Sequence, residues 1–430
     1  MSARIAFINA RIVDPASGFD GPGALLVEDG KIADIGPRLF NDAKPANAEI
    51  IDCGGHVLAP GLIDMRVFTG EPGAEHRETL ASAGEAAAAG GVTSFAMMPV
   101  TDPVIDDAAL VDFILRRAAA NAAVRIYPMA ALTKGLNGTQ MSEMGLLQEA
   151  GAIAFTDADR TIASSLIMRR CLTYAANFDA LVVAHAEDPA LAGAGHMNEG
   201  AYAARMGLGG IPSAAETIAV ERDIRLVELT GARYHLGQVS CAAALDAIAK
   251  AKARGLPVSC SVSAHHLVLN EQDIGEYKTF AKVSPALRAE SDREAMVEGV
   301  RNGTIDAIVS SHDPQAPETK RLPFAQAAFG AIGLETLLPA SLSLHHAAGV
   351  ALIDVLRHLT IEPANILRLA QGRLAKGAPA DLVVFDAAAP RKIDPADFRS
   401  RTKNSPFKGR LMQGQVLRTM VAGKTVFQAT

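Results

Sequence analysis

The sequence lacks several features that mark other classes of protein. No apolar run reaches the roughly 18 residues that a membrane-spanning helix needs. The 41 lysines and arginines stand against 47 aspartates and glutamates, a net charge of −6, so there is no basic footprint for nucleic acid. The first residues, MSARIAFINARIVD, are typical of a strand and lack the basic start and apolar core of a secretory signal. We therefore predict neither a membrane partner nor a nucleic-acid partner.

Tryptophan is absent and cysteine is scarce. The four cysteines, Cys53, Cys171, Cys241 and Cys260, are scattered without CxxC spacing. This distribution is typical of buried thiols in a reducing compartment, so we expect a cytoplasmic protein. Alanine and glycine are abundant instead, which suits closely packed helices and tight strand-to-helix turns.

The two ends of the chain have the pattern of strands. Residues 1–59 alternate apolar and polar positions between turn signals such as Asp29-Gly30, and ADLVVFDAAAP and GQVLRTMVAGKTVF within residues 370–430 do the same. Because chain ends often lie close together, we predict that these two segments pair into one small β-rich domain. The whole chain, 430 residues with 49% hydrophobic content, is long enough for that domain and a large α/β barrel, which takes about 250 residues.

Residues 60–369 alternate between short apolar runs and alanine-rich helical segments. Runs such as SFAMMP, ALVVAHAED and AIVSSHDP end in polar or turn residues, and segments such as ALDAIAKAKARG lie between them. This alternation predicts βα units and a parallel sheet. In a closed barrel of such units, the carboxyl ends of the strands form the active-site face. The residues that follow the runs are therefore the candidates: Arg66, Phe68, Pro99 to Asp102, Asp157, His185, Gln238, His265, His266 and Ser311 to Asp313.

Segments along almost the whole chain resemble one family. They include APGLIDM, EPGAEHRETLASAGEAAAAGGVTS, AHAEDPAL, KARGLPVSCSVSAHHL and KNSPFKGRLMQGQV. On these segments the sequence resembles the dihydroorotase branch of the amidohydrolase superfamily, in the longer form often found beside aspartate carbamoyltransferase. The resemblance implies an α/β fold: a TIM-type (βα)8 barrel over residues 60–369, with a small β-sandwich domain formed by residues 1–59 and 370–430.

The resemblance also implies where a zinc site would lie. Family members hold one or two zinc ions with an Asp-x-His-x-His strand end, a bridging Asp or carboxylated Lys and two further histidines, and they use a catalytic Asp. Asp64 is present, and two ligand positions keep ligand residues, Asp157 and His185. The replaced ligand positions are Arg66, Phe68 and Gln238, and the catalytic Asp position is Ser311. The expected substrate contacts are replaced by Gly70, Val100, Ser284 and Gln315.

These replacements remove the chemistry that the family uses. Arginine stays protonated and offers only donors, and phenylalanine offers no ligand atom. Asp157 and His185 alone fall short of the three protein ligands that a catalytic zinc usually keeps in addition to its water, and only His312 could add a third. Ser311 is not acidic enough to orient water and carry its proton. We therefore expect no cofactor, with zinc only if the site has been rearranged.

Several residues near this site have structural interpretations. We predict that Arg66 pairs with Asp157 or Asp64 and takes the place of the metal charge. His265 and His266 precede apolar residues, which favours packing over catalysis. Adjacent residues on an extended strand end point to opposite sides, so His312 and the Asp that follows it are not expected to act as an acid–base pair.

Three functions stay open at this point. The first is a catalytically inactive dihydroorotase-like protein of pyrimidine biosynthesis, a homo-oligomer that acts as a structural partner of aspartate carbamoyltransferase. The second is an active cyclic amidohydrolase, of dihydroorotase, hydantoinase or allantoinase type, whose reduced or rearranged metal site draws on residues such as His265 or His312. The third is a small-molecule sensor that uses the vacated pocket, although no residue singles out a ligand.

Overall fold

The computed structural model of the protein describes residues 4–40, 45 and 47–429. Its strands are β1 (Arg4–Asp14), β2 (Phe19–Glu28), β3 (Lys31–Gly36), β4 (Glu49–Asp52), β5 (Val57–Pro60), β6 (Leu62–Val67), β7 (Val92–Met97), β8 (Arg125–Pro128), β9 (Leu181–Ala184), β10 (Met197–Asn198), β11 (Gly210–Ile211), β12 (Arg233–Leu236), β13 (Val258–Ser263), β14 (Ala307–Val309), β15 (Leu382–Lys392), β16 (Leu411–Val421) and β17 (Lys424–Gln428).

The α-helices separate the strands in the middle of the chain. They are α1 (Leu80–Ala89), α2 (Ala108–Asn121), α3 (Met144–Glu149), α4 (Ser165–Ala176), α5 (Pro189–Ala192), α6 (Ala201–Met206), α7 (Ser213–Thr230), α8 (Ala242–Ala253), α9 (Ala264–Val268), α10 (Glu290–Arg301), α11 (Pro317–Lys320), α12 (Leu337–His346), α13 (Leu352–Arg357) and α14 (Ile361–Leu367). Short 3-10 helices cover Lys134–Leu136, Glu271–Ile274, Thr279–Ala281, Leu334–Thr336 and Pro395–Asp397. Within the described ranges, no helix has both the length and the apolar surface to cross a bilayer.

Strands from both ends of the chain form a single sheet. Its order is β17-β16-β15-β5-β1-β2-β3, with β4 paired to β1. Strand β5 joins the two halves, because it runs parallel to β1 and antiparallel to β15. The sheet covers its own apolar core, to which both halves contribute: Phe7, Leu25, Leu58, Leu382 and Met420. The prediction that the two termini build one β-rich domain is confirmed, and the exact boundaries at 59/60 and 369/370 stay predictions.

The middle of the chain closes into a parallel barrel. One set of strands is β6-β7-β8 and the other is β9-β12-β13-β14. A short extended segment at Phe155 joins them through parallel bridges to Ala130 and Val182, and a parallel bridge between Val67 and His312 closes the ring. The predicted TIM-type barrel is confirmed by this arrangement.

The barrel strands are buried on both faces. All residues of β6, β7 and β9 are buried, as expected for parallel strands covered by helices. Ile63, Met65, Ala96, Val183 and Val309 fill the inside of the barrel. Outside it, alanine-rich helices such as α1 pack closely against the sheet. Each large apolar side chain buried in this way contributes roughly 1.5–3 kcal/mol to the free energy of folding. The barrel is therefore a rigid support for the residues at its strand ends.

The four cysteines are buried and unpaired. Burial raises the pKa of each thiol to about 12, so all four stay protonated and unreactive near neutral pH. The prediction of buried thiols is confirmed, and the cytoplasmic compartment stays a prediction.

Candidate functional site

The residues singled out from the sequence lie at the carboxyl ends of the barrel strands. Arg66 is in β6, His185 follows β9, Gln238 follows β12 and Ser311 follows β14. All four are buried. In TIM-type barrels this end of the strands carries the functional residues, so the fold brings the four side chains to the place where a site would be expected.

Arg66 points into this end of the barrel. The pairing of β6 with β7 shifts between Asp64 and Val67, an irregularity of the kind that re-aims a side chain. The guanidinium carbon lies 5.3 Å from the centre of the Phe68 ring, and Nη1 lies 3.5 Å from the carbonyl oxygen of Ala158. A Cβ placed on Gly237 would be 3.7 Å from the same nitrogen. The guanidinium therefore lies between the strand ends that carry Asp157 and Gln238.

The predicted pairing of Arg66 with Asp157 or Asp64 is wrong. The Asp157 carboxylate accepts the Thr133 backbone N–H at 2.8 Å and also the Thr133 hydroxyl. Asp64 accepts backbone N–H groups instead, from Arg66 at 3.1 Å and from Ser310 at 3.2 Å. Among the described residues no ion pair holds the Arg66 guanidinium. The prediction rested on the positions of these residues in the sequence. Those positions could not show that nearby backbone and hydroxyl donors would bind the carboxylates of both Asp64 and Asp157.

The charge of Arg66 is compensated only at a distance. Burial lowers the pKa of Arg66, and the negative charges of Asp159, Asp313 and Asp64 raise it again in that order. Arg66 is only 3% exposed, and its Nε has no hydrogen-bond partner in the described part of the chain. A buried guanidinium with unused donors is costly for the fold.

Asp157 and His185, the surviving ligand positions, lie beside Arg66 but do not form a metal site. They share a crevice of about 10 Å³, about the size of one water. Burial, together with the Arg66 charge, lowers the pKa of His185 to about 4, so its imidazole is neutral near pH 7. The described residues include no group of three or more His, Cys, Asp or Glu arranged to hold a metal ion. Zinc therefore does not fit the donors present.

The other histidines near the strand ends make structural contacts. His266 Nε2 lies 3.2 Å from the Ala286 carbonyl oxygen, and the His265 ring packs 5.5 Å from that of Phe407. This agrees with the predicted packing role. His312 Nδ1 accepts the Gly333 N–H at 3.2 Å, and its Nε2 lies 3.6 Å from Glu78.

A cavity of about 320 Å³ opens at the strand ends. It brings together many of the positions predicted from the sequence: Arg66, Phe68, Gly70, Val100, Ser284, Ser311 and Gln315. Asp313 lines it too, as do two charged residues that the sequence did not single out, Arg77 and Asp159. Asp159 could have been suspected from the acidic TDAD run, since it follows Asp157 by two residues. Arg77 carries no such signal. The predicted positions outside its lining are Asp64, Pro99, Thr101, Asp102, Asp157, His185, Gln238, His265, His266 and His312.

One side of the cavity is a set of groups that satisfy one another. Arg77 donates to Asp313 at 2.8 Å and to the Pro314 carbonyl oxygen at 2.7 Å. Gln315 Nε2 donates to the same Asp313 oxygen at 2.8 Å. The Asp313 and Arg77 charges therefore offset each other, and Arg66 and Asp159 are the cavity charges whose side chains make no ion pair within the described ranges.

The turn at Gly70 excludes a larger residue. Gly70 has a φ of 88°, in the left-handed region that glycine adopts without strain. A Cβ at this position would lie 2.7 Å from the Ala74 carbonyl oxygen. The arginine that the resemblance leads one to expect here could not be introduced without moving this turn.

A buried acid, Glu335, joins the barrel to the C-terminal part of the chain. Its Oε1 accepts the backbone N–H groups of Arg399 at 2.8 Å and Ser400 at 3.1 Å. Burial raises the pKa of Glu335 from 4.5 to about 7, against the lowering effect of these hydrogen bonds. The folded protein therefore binds a proton here more tightly than the unfolded chain does.

We expect Glu335→Gln to change how stability depends on pH. Because the folded pKa is raised, wild type loses stability as pH rises from 4.5 to about 7. Glutamine does not titrate, so the free energy of unfolding of the variant should rise relative to that of wild type across this window, by up to about 3 kcal/mol. Urea unfolding of both proteins at the two ends of the window measures the difference. Glu85→Gln, at an exposed position on α1, is the control. Parallel curves for wild type and Glu335→Gln would contradict the prediction.

Comparisons with protein families match two parts of the chain. Residues 55–243 match a family described as dihydro-orotase-like, and residues 345–427 match the amidohydrolase family. The first range includes Arg66, Asp157, His185 and Gln238. The second runs from the end of α12 into β17.

Relatives of known name match along nearly the whole chain. A protein from Anaplasma phagocytophilum (strain HZ), named dihydroorotase, is 46% identical over 428 residues, which is 99% of this chain and 95% of the relative. A protein of the same name from Ehrlichia canis (strain Jake) is 46% identical over 427 residues, with the same coverage. Another from Anaeromyxobacter sp. (strain K) is 42% identical over 430 residues, covering 100% of this chain and 99% of its own.

Solved structures agree on the fold. The L-hydantoinase (dihydropyrimidinase) from Arthrobacter aurescens superposes with a TM-score of 0.88 at 25% identity, covering 100% of this chain and 96% of that one. The dihydropyrimidinase from Brevibacillus agri NCHU1002 gives a TM-score of 0.85 at 22% identity over 99% and 95% of the two chains. The similarity to the Brevibacillus agri structure shows a shared fold and nothing more.

Proposed function

The chain belongs to the dihydroorotase family of amidohydrolases, and we propose that it serves pyrimidine biosynthesis without catalysing the dihydroorotase reaction. The observation that carries this proposal is the position of Arg66. Its guanidinium is buried at the carboxyl end of the first barrel strand, at a position where the family resemblance leads one to expect a zinc ligand. Its charge contributes to the lowered pKa of His185.

The proposal is supported by the chemistry of the donors. Zinc-assisted hydrolysis needs a cation that lowers the pKa of bound water to about 7, held by imidazole or carboxylate groups. Arg66 supplies a fixed positive charge and only donor atoms, so it would repel a metal ion rather than bind it. Asp157 already accepts hydrogen bonds from Thr133. Neutral His185 is therefore left without a second strong metal ligand beside it.

The groups available for proton transfer support the same conclusion. A hydrolase of this kind needs a base within hydrogen-bond reach of the attacking water. Ser311, at the expected base position, is an alcohol. Of the two acids in the cavity lining, Asp313 is bound to Arg77 and Gln315, and Asp159 is exposed and does not occupy the expected base position. The family's base position therefore holds no carboxylate, which supports the proposal.

Metal analysis tests the inactive state directly. Purified protein dialysed against zinc and then against buffer is expected to retain no stoichiometric zinc by elemental analysis, because the donor set is incomplete. The dihydroorotase of Anaplasma phagocytophilum, treated in the same way, is the reference. One zinc per chain in the present protein would support the rival proposal of an active amidohydrolase with a rearranged site, which the names of its relatives favour.

We further propose that the protein is a structural partner of aspartate carbamoyltransferase and forms a homo-oligomer. The support is the resemblance to the longer dihydroorotases and an intact barrel and β-domain around an altered site. Exposed apolar side chains on the neighbouring helices α4 and α7, Leu166, Ile218 and Leu229, offer surface that a partner could cover.

Co-migration tests the partner. The two proteins, taken from the same organism and mixed at micromolar concentration, are expected to elute together in size-exclusion chromatography at a mass above that of either alone. Independent elution of both proteins would contradict the partnership. The mass of the free protein, measured in the same run, reports whether it is a homo-oligomer.

A further inference from the structure

We propose that the cavity at the strand ends binds a small molecule that has a carboxylate at one end and an N–H donor at the other, with the carboxylate on Arg66. Amino acids and N-acyl amino acids have this chemistry. The proposal goes beyond the function proposed above, because it gives the altered site a ligand of its own and needs neither zinc nor a partner protein.

The unused donors of Arg66 point to the carboxylate. A guanidinium has five N–H donors arranged to grip a carboxylate with two of them. Here the side chain is buried and lines the cavity, yet within residues 4–40, 45 and 47–429 its hydrogen bonding is limited to the Ala158 carbonyl oxygen at 3.5 Å. Its Nε has no partner among the described residues. A ligand carboxylate would accept hydrogen bonds from the terminal nitrogens that face the cavity and compensate the charge.

Asp159 points to the donor at the other end of the ligand. This residue lines the same cavity, is exposed and makes no hydrogen bond through its carboxylate within the described ranges. It would repel a second carboxylate and accept an N–H group. Arg77 and Asp313 are already paired with each other. Arg66 and Asp159 therefore determine which end of the ligand carries the carboxylate and which carries the N–H group.

The remaining lining limits the size of the ligand. Phe68, Val100, Val283 and Phe329 supply apolar wall between the charged groups. A volume of about 320 Å³ is at the lower end of the range for small-molecule pockets. It suits a metabolite of a few carbon atoms rather than a nucleotide.

Binding of matched small probes tests the proposal. Saturation-transfer NMR is performed with acetate, N-acetylglycine and N-acetyl-β-alanine, and with N-acetylglycinamide as the neutral counterpart. Wild type is expected to bind the N-acyl acids saturably, and the neutral amide at least about tenfold more weakly. If none of the three carboxylates binds at millimolar concentration, or if the amide binds as well as the acids, the proposal is overturned.

Variants assign the two ends of the ligand. Arg66→Met should abolish binding of every carboxylate, whereas Arg116→Met, on exposed α2 surface, should bind as wild type does. Asp159→Leu should still bind acetate but lose any preference for the N-acyl acids over acetate. Unchanged binding to a folded Arg66→Met protein would overturn the proposal. Because no ion pair holds Arg66 in the described part of the chain, removal of its buried charge is not expected to unfold the barrel, and circular dichroism checks this. Zinc content and turnover are measured separately, so the two proposals can fail independently.

Discussion

With Arg66, Phe68 and Gln238 all replaced by histidine, the protein is expected to bind one zinc ion per chain. The three new imidazoles would join His185, which gives more donors than the three that catalytic zinc usually keeps. We expect micromolar affinity or tighter, at least about 8 kcal/mol of binding free energy. Competition with a chromophoric chelator measures it.

The control for this variant keeps the arginine. Phe68→His with Gln238→His adds two donors but leaves the Arg66 charge in place, and it is expected to bind no zinc. A folded triple variant without zinc would contradict the assignment of these positions to a former metal site. Zinc alone is not expected to restore turnover, because Ser311 occupies the position of the catalytic acid and the Gly70 turn excludes an arginine.

Arg288→Met is expected to destabilise the fold by about 3–5 kcal/mol, the cost of leaving one member of a buried ion pair alone. Arg288 and Glu216 are almost fully buried, with 3.5 Å between Nη2 and Oε2. Arg288 also donates to Ser240 Oγ at 3.0 Å and to the Ile211 carbonyl oxygen at 2.8 Å. Because Glu216 accepts the Ser240 backbone N–H at 2.8 Å, the pair also anchors the segment that follows Gln238.

Two further variants show whether the loss comes from the stranded charge. Arg288→Met with Glu216→Leu removes both charges and should recover much of the stability lost in the single variant. Arg225→Met breaks an exposed pair with Glu228 and should change the free energy of unfolding by no more than about 1 kcal/mol. Urea unfolding compares all four proteins. Equal losses in the single and double variants would show that lost packing or hydrogen bonds, rather than charge, explain the effect.

The fold was accessible from the sequence because it depends on local patterns. Alternation of apolar and polar residues at both ends predicted the β-domain, and the βα repeats predicted the barrel. The carboxyl ends of parallel strands converge, so the approximate position of Arg66, His185, Gln238 and Ser311 also followed.

The contacts of the site were not accessible in the same way. They depend on donors that are distant in the chain: Thr133 bonds Asp157 from 24 residues away, and Arg77 reaches the Pro314 carbonyl oxygen across 237 residues. The predicted Arg66–Asp157 pair failed for this reason. The Arg288–Glu216 pair spans 72 residues, and no local pattern around either residue indicates it.

The measurement that tests the central claim most directly is turnover of dihydroorotate and of N-carbamoyl-aspartate, in both directions and with added zinc. The dihydroorotase of Anaplasma phagocytophilum, 46% identical to this chain, is assayed beside it. Our account predicts no rate above the uncatalysed reaction for the present protein while the relative turns over. Zinc-dependent turnover by the purified protein, with one zinc bound per chain, would contradict it.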